Sequence, residues 1–384
     1  MDVTESAIGY RFNGQNLATS GMIASFIAAG LYWIFLIDLS NNELGFITST
    51  NNTTWSAITD ITGVVPEQYG IGGQYSVCFD GTYGHIVWSP SATAVNYLRF
   101  TPNSDGTITI DPAGIQSNVI TTGFFLYPEI ITDKNGYVWI LALSAGVGHF
   151  ISKNKNISGT WTADTGFPLQ LNNSTGSYSG GGIAALHNAE SVVVVYGDTN
   201  GLYSNQWVSG VWVGAVVMTG ANIFGGSPCP SYLVADNSDT LYFLTQTEVG
   251  GNLGSYLFIY KTSWSIVKLS NKRILLAFSI NLTDGTIWIF GTQQTGSTNI
   301  DYMTYKNGVG ITGWTTLYTD VYWPNGSNPY VYNANLYINV PNQFTVIYVD
   351  YNDSGAIKVL TFAVQMPVHG KTSIGAQLKV MGVI

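Results

Sequence analysis

Residues 127–161 read YPEIITDKNGYVWILALSAGVGHFISKNKNISGTW. Short apolar runs alternate here with turn signals. Residues 128–132 form a first strand. Asp133-Lys134-Asn135-Gly136 is a turn, because Asn-Gly accepts the positive φ that a tight hairpin demands. Residues 137–142 form a second strand. It is apolar almost throughout, as is Ser191–Tyr196, SVVVVY, which by its continuity reads as a fully buried central strand. Residues 148–153 form a third. Ser158-Gly159-Thr160-Trp161 enters a fourth, with Trp161 placed to pack on a neighbour.

The same plan recurs along the chain. One marker sits in the second strand, at Trp33, Val87, Trp139, Val194, Phe243, Trp288 and Val346. Another opens the fourth strand, at Trp55, Ile108, Trp161, Trp212, Trp264 and Trp314. Both registers give a unit of about 52 residues, and four strands per unit of roughly that length define a propeller blade. The expectation is an all-β fold: a single seven-bladed β-propeller with four-stranded blades over residues 1–364, followed by a C-terminal tail, 365–384. The last unit lacks a fourth strand of its own. Residues 6–13, SAIGYRFN, precede the first unit and supply the missing strand, closing the ring and covering two sheet edges. The tail is the alternative source.

Composition agrees. Of 384 residues, 9% are charged and 14% aromatic, with 44 Gly, 11 Trp and 24 Tyr. Such a chain is rich in turns and strands, not in helices. The net charge is -9 with 13 basic residues. Phosphate backbones need clustered Lys and Arg, so nucleic acid is excluded as a partner. The run 21–37, GMIASFIAAGLYWIFLI, is long enough to suggest a membrane helix. Ala29-Gly30 falls where other units turn, so it reads as two strands without membrane insertion. The two cysteines, Cys78 and Cys229, fall in opposite blades and are expected as free thiols. They are too few for a zinc site. No cofactor or metal is expected.

The entries to the fourth strands resemble weakened Asp boxes of the sialidase-like propellers. Ser158-Gly159-Thr160-Trp161 keeps the Thr-Trp pair, as does Thr50-Asn51-Asn52-Thr53-Thr54-Trp55. Gly310-Ile311-Thr312-Gly313-Trp314 keeps the Trp and its glycines. The resemblance implies a propeller and, in an active member, three arginines, an Asp, a Glu and a Tyr. The chain has only Arg11, Arg99 and Arg273, and none falls at the family's positions. A sialidase-like glycoside hydrolase is therefore an alternative reading and not the main one, and no catalytic residue is assigned.

Candidate ligand-binding residues are Tyr318, Tyr322, Trp323 and Asn325 in one interblade loop, and Tyr127 with Glu129 on the inner strand of the third unit. Aromatic rings flanked by amides suit sugar faces and protein partners. A channel-facing carboxylate suits acid or nucleophile work in a glycosidase, provided a second carboxylate stands opposite. Asp80, Asp133, His187, Asp236 and Asp284 mark first hairpin turns. They either cap those turns or hold a cation between them. Low charge, many Asn-x-Ser/Thr triplets and the lack of a basic start at Met1-Asp2-Val3 suggest a protein displayed outside the cell without an export signal. The expected role is a binding or structural component of a virion surface: a spike, fibre or decoration protein. Its partners would be other virion or surface proteins and carbohydrate. A secreted or cell-surface lectin is the alternative.

Overall fold

The computed structural model describes residues 3–11, 24–38, 41–66, 75–91, 93–121, 125–144, 147–172, 181–197, 201–219, 232–249, 252–270, 277–280, 285–291, 300–318, 331–334, 343–350 and 356–363. They form seven antiparallel sheets of two kinds. Six are blades, each made by one uninterrupted run of chain with its strands in sequence order. Blade one comprises Ala24–Ala28, Leu31–Asp38, Glu43–Ser49 and Thr59–Asp60. Blade three comprises Phe125–Thr132, Val138–Ser144, Gly148–Lys153 and Leu169–Gln170. Blade four starts with Gly181–Ala185, Ser191–Gly197 and Leu202–Val208. The remaining sheet is composite: Val3–Arg11 pairs with Ala356–Ala363, which pairs with Gln343–Asp350 and then Val331–Ala334.

The expectation of seven like blades is thus corrected to six. The uninterrupted four-strand repeat ends after blade six, and the remaining sheet draws its strands from both ends of the chain. The outer strands differ from expectation too. Blades two, four and six split theirs into two pieces. In blade three, the Trp161 region gives only an isolated bridge, Asn154 to Ala163, and the true strand comes later, at Leu169–Gln170.

The apolar run 21–37 is resolved by its turn. Ala29 has φ 51° and Gly30 φ 77°, which returns the chain on itself after Ala28. The two strands then send Phe26, Trp33 and Phe35 into one interblade cluster with Phe46, Phe79 and Phe100. Among the described residues, no helix is long and apolar enough to cross a membrane.

Five interblade cores join blades one to six, each filled by facing strands of two neighbours. They explain the second-strand apolar runs: Val192 and Val194 face blade three, while Val193 and Val195 face blade five. They also correct the marker register. Trp33, Val87 and Trp139 face the following blade, whereas Val194 and Phe243 face the preceding one. Tyr242 is the residue of blade five that matches Trp139, and a change of one residue in a strand reverses the face.

The first hairpin turns show why. Asp133 Oδ1 accepts the backbone N–H groups of Asn135 and Tyr137, and its Oδ2 accepts Trp139 Nε1–H at 2.9 Å. Asp236 does the same with Ser238, Thr240 and the Tyr242 hydroxyl. Asp80 does it with Thr82, Tyr83 and His85. One carboxylate therefore fixes a turn and pins the next interblade side chain. These aspartates cap turns, and among the described residues no His, Cys, Asp or Glu group of three is placed to hold a metal ion. Asp284 lies outside the described residues.

Tryptophans near the outer strands reach back to the preceding blade. Trp161 lies 5.2 Å from the Tyr97 ring of blade two, and Trp264 Nε1–H donates to Ser204 Oγ of blade four at 2.8 Å. Replacing Trp161 with Ala is expected to cost about 2–4 kcal/mol, since the ring fills an interblade seam that cannot collapse fully. Urea unfolding of the variant would check this, and a loss under about 1 kcal/mol would place the ring outside the core.

Burial works against ionised Asp80, but hydrogen bonds from His85, Tyr83 and Thr82 outweigh it and hold its carboxyl below the usual range. A depressed carboxyl contributes stability that is complete above its unfolded value near 4 and disappears as pH falls through the lower folded value. Acid titration of the fold should therefore show a stability loss below about pH 4 that Asp80→Asn reduces.

Candidate binding site between blades three and four

The inner strand of blade three is irregular where the candidate residues fall. Leu126 opposes Leu143 and Glu129 opposes Leu141, so one extra residue bulges out at Tyr127-Pro128. Pro128 has no N–H to lose, and the inner strand is a sheet edge, where proline is tolerated. Bulges bend a strand and re-aim the side chains beyond them. Glu129 is the first such residue.

The half-buried Glu129 side chain crosses to blade four, where its Oε2 accepts the Ile183 backbone N–H at 3.2 Å. Hydrogen-bonded pairs alternate along Gly181–Ala185. Leu186 N–H bonds Ser191 O, so Ile183 points its own N–H away from Ser191–Gly197, toward the channel side. Burial pushes the Glu129 carboxyl up to about 8, and the single bond from Ile183 only partly opposes it.

The same seam holds an aromatic and amide group. His149 is buried at the start of the third strand, with its ring 5.9 Å from Tyr196 of blade four. Tyr196 stacks on the half-buried Tyr203 at 5.9 Å and 18°. Asn172 ties the blades together: its Oδ1 accepts the His149 N–H at 2.8 Å and its Nδ2 donates to Gly197 O at 3.3 Å. A Cβ on Gly181 would stand 3.3 Å from the His149 ring and 3.2 Å from Leu141 Cδ2, so glycine is what lets the two blades close here.

Of the expected site residues, Glu129 falls in this seam. Tyr127 lies in the bulge and Tyr318 ends the strand Thr315–Tyr318, but their side chains are outside the described residues. Tyr322, Trp323 and Asn325 are outside them altogether. Sequence reasoning missed His149, Asn172, Tyr196 and Tyr203. Arg99, one of the three arginines that fall at none of the sialidase-like positions, is a clamp. It holds Asp111 through Nε at 3.0 Å and donates to Ile157 O of blade three.

No family model matches the chain, and no curated protein matches it. Solved structures do. An ulvan lyase of a polysaccharide lyase family, bound to -[GlcA(1-4)Rha3S]-, matches with a TM-score of 0.60 and 11% identity over 92% of this chain and 94% of its own. AofleA from Arthrobotrys oligospora gives 0.52 and 12% over 82% and 90%. Aleuria aurantia lectin, a six-bladed β-propeller with a fucose recognition mode, gives 0.49 and 14% over 81% and 99%. The order of the sheets and the cores between them define the class, and the likeness to the ulvan lyase over 92% of the chain agrees: this chain is a β-propeller. No match confirms the Asp-box superfamily. The capping aspartates sit in the first hairpins, and the turns after the third strands of blades one and three are organised by Asn51 and Asn154.

Glu129 should make the fold sensitive to alkali. A carboxyl raised in the folded state contributes stability that is complete below its unfolded value near 4.3 and is lost as pH rises through about 8. Urea midpoints measured across that window should fall for the unmodified protein and stay level for Glu129→Gln.

Proposed function

We propose that this propeller is a non-catalytic carbohydrate-binding protein displayed on an exposed surface, a virion surface being the setting that its composition favours. The observation that carries the reading is the seam between blades three and four. That seam carries the Glu129 carboxyl at its inner end, on Ile183, and the Asn172 amide with the half-buried Tyr203 ring further out, beside His149 and Tyr196. Ring faces supply apolar contact to sugars, and amides and carboxyls read hydroxyls. A glycosidase would need a second carboxylate roughly 5–9.5 Å from the first. Burial and the Ile183 N–H alone account for the state of Glu129, with no charged neighbour among the causes.

A second reading, docking on a protein neighbour, is favoured by the outer edge of blade four. Val211, Val213, Val216 and Val217 are 54–66% exposed there, in a run without charge from Ser209 to Met218. Unprotected apolar edges mark contact surfaces. The readings separate experimentally. A glycan array should give hits that Tyr203→Ala weakens about tenfold, the loss of one ring contact of about 1.4 kcal/mol. A fluorogenic glycoside panel should give no turnover. If the array is empty, and Val216→Lys with Val217→Lys removes the chain from purified particles, docking replaces recognition.

A further inference from the structure

Glu129 departs from the repeat. The register that places Glu129 opposite Leu141 places Ala24 opposite Phe35 in blade one, Ser76 opposite Val87 in blade two and Gly182 opposite Val195 in blade four. Those blades close with small or uncharged residues, so the fold does not require a carboxyl at this position. The carboxyl is also poorly served as an anion. One oxygen takes a single backbone N–H, and the other has no hydrogen-bond partner among the described residues. That second oxygen is also absent from the buried polar atoms without partners, so it is open. A bulge and a proline immediately precede it. Local rules broken together, where neighbouring blades close without a carboxyl, mark a functional position.

The charges around it explain its chemistry. On its own strand, Phe125–Thr132, the other titratable residue is Tyr127. The strands Val138–Ser144 and Gly181–Ala185 that touch it carry none. His149 shares the seam, and Lys153 lies at the far end of the same third strand. The blade-two strands that lie against the inner strand's opposite face carry Cys78, His85, Tyr97 and Arg99, of which His85 bonds Asp80 and Arg99 bonds Asp111. No cation in this set is among the causes acting on the carboxyl. An acid kept neutral in this way can donate through its open oxygen. A sugar hydroxyl is bonded equally well by an acid or a carboxylate. An anionic oxygen is bonded only by the acid, because the carboxylate repels it.

We infer that Glu129 is a specificity-determining residue of the blade three–four seam, where its open oxygen donates to an anionic oxygen, carboxylate or sulfate, of a bound saccharide. This rests on the carbohydrate reading above.

The test uses the full chain and a panel of uronate-containing oligosaccharides, sulfated oligosaccharides and their carboxyl-reduced or desulfated counterparts. Affinity is measured by calorimetry at pH 6 and pH 9.5. For the unmodified protein, the acidic members should bind at pH 6 and lose at least tenfold by pH 9.5, which is about 1.4 kcal/mol. Glu129→Gln keeps an N–H donor and cannot ionise, so it should bind at both pH values. Glu129→Ala should bind weakly at both. The uronate and sulfate arms identify which anionic oxygen is read. Binding that is flat with pH in the unmodified protein, preference for the neutral counterparts, or full affinity in Glu129→Ala overturns the inference. If Tyr203→Ala still weakens binding in that case, the carbohydrate reading survives. Absence of binding to any saccharide overturns both.

Discussion

Among the described residues, blades two to five are apolar on both faces, and only their neighbours can cover those faces. That constraint governs the rest of the structure. A sheet with one wet face alternates polar and apolar residues, whereas runs such as Val192–Val195 cannot. The chain meets the requirement with five shared cores and with aromatic side chains that cross each seam. The tryptophans near the outer strands lodge on third-strand residues of the preceding blade. Trp161 meets Tyr97 and Trp264 meets Ser204, while Trp212 and Trp314 join the clusters that hold Ile151 and Leu257. Only Ser204 offers an acceptor. The Nε1–H groups of Trp161, Trp212 and Trp314 have no partner among the described residues. Shape and apolar burial therefore decide these positions, and the hydrogen bond is incidental to them.

Much of this order was legible because it is periodic. A 52-residue recurrence of Trp survives in sequence, since a large ring is hard to replace in a tight seam. Turn chemistry was legible for the same local reason: Asp133 and Asp236 act within six residues of themselves. Facing was less legible. In blade five the count falls on Phe243, where Tyr242, six residues from Asp236 as Trp139 is from Asp133, is the equivalent, and that one-residue slip reverses the face. The late position of the blade-three outer strand was hidden because Trp161 marks the seam and not the strand.

The site divides along the same line. Glu129 stood out in sequence as an acid beside a proline in an apolar strand. Asn172, His149, Tyr196 and Tyr203 did not, because each is ordinary in its own segment. They meet only when two blades are laid side by side, with partners 23 to 25 residues apart for Asn172. Aligning the third strand of one unit with the inner strand of the next would have exposed Gly181 as the place where the His149 ring must fit.

The composite sheet has a consequence for how the protein is made. Val3–Arg11 leaves the ribosome about 350 residues ahead of its partner Ala356–Ala363. At translation speeds of about 5–20 residues per second, the first strand waits roughly 20–70 s without its partner. During that interval it is a free edge able to pair with any other nascent strand. Its sequence, VTESAIGYR, suits the delay: Glu5 and Arg11 place opposite charges on a segment with few large apolar side chains. Blades one to six can meanwhile form in order, each on the template of the last. Of this pair, the strand made earlier must wait for the later one before it finds its place.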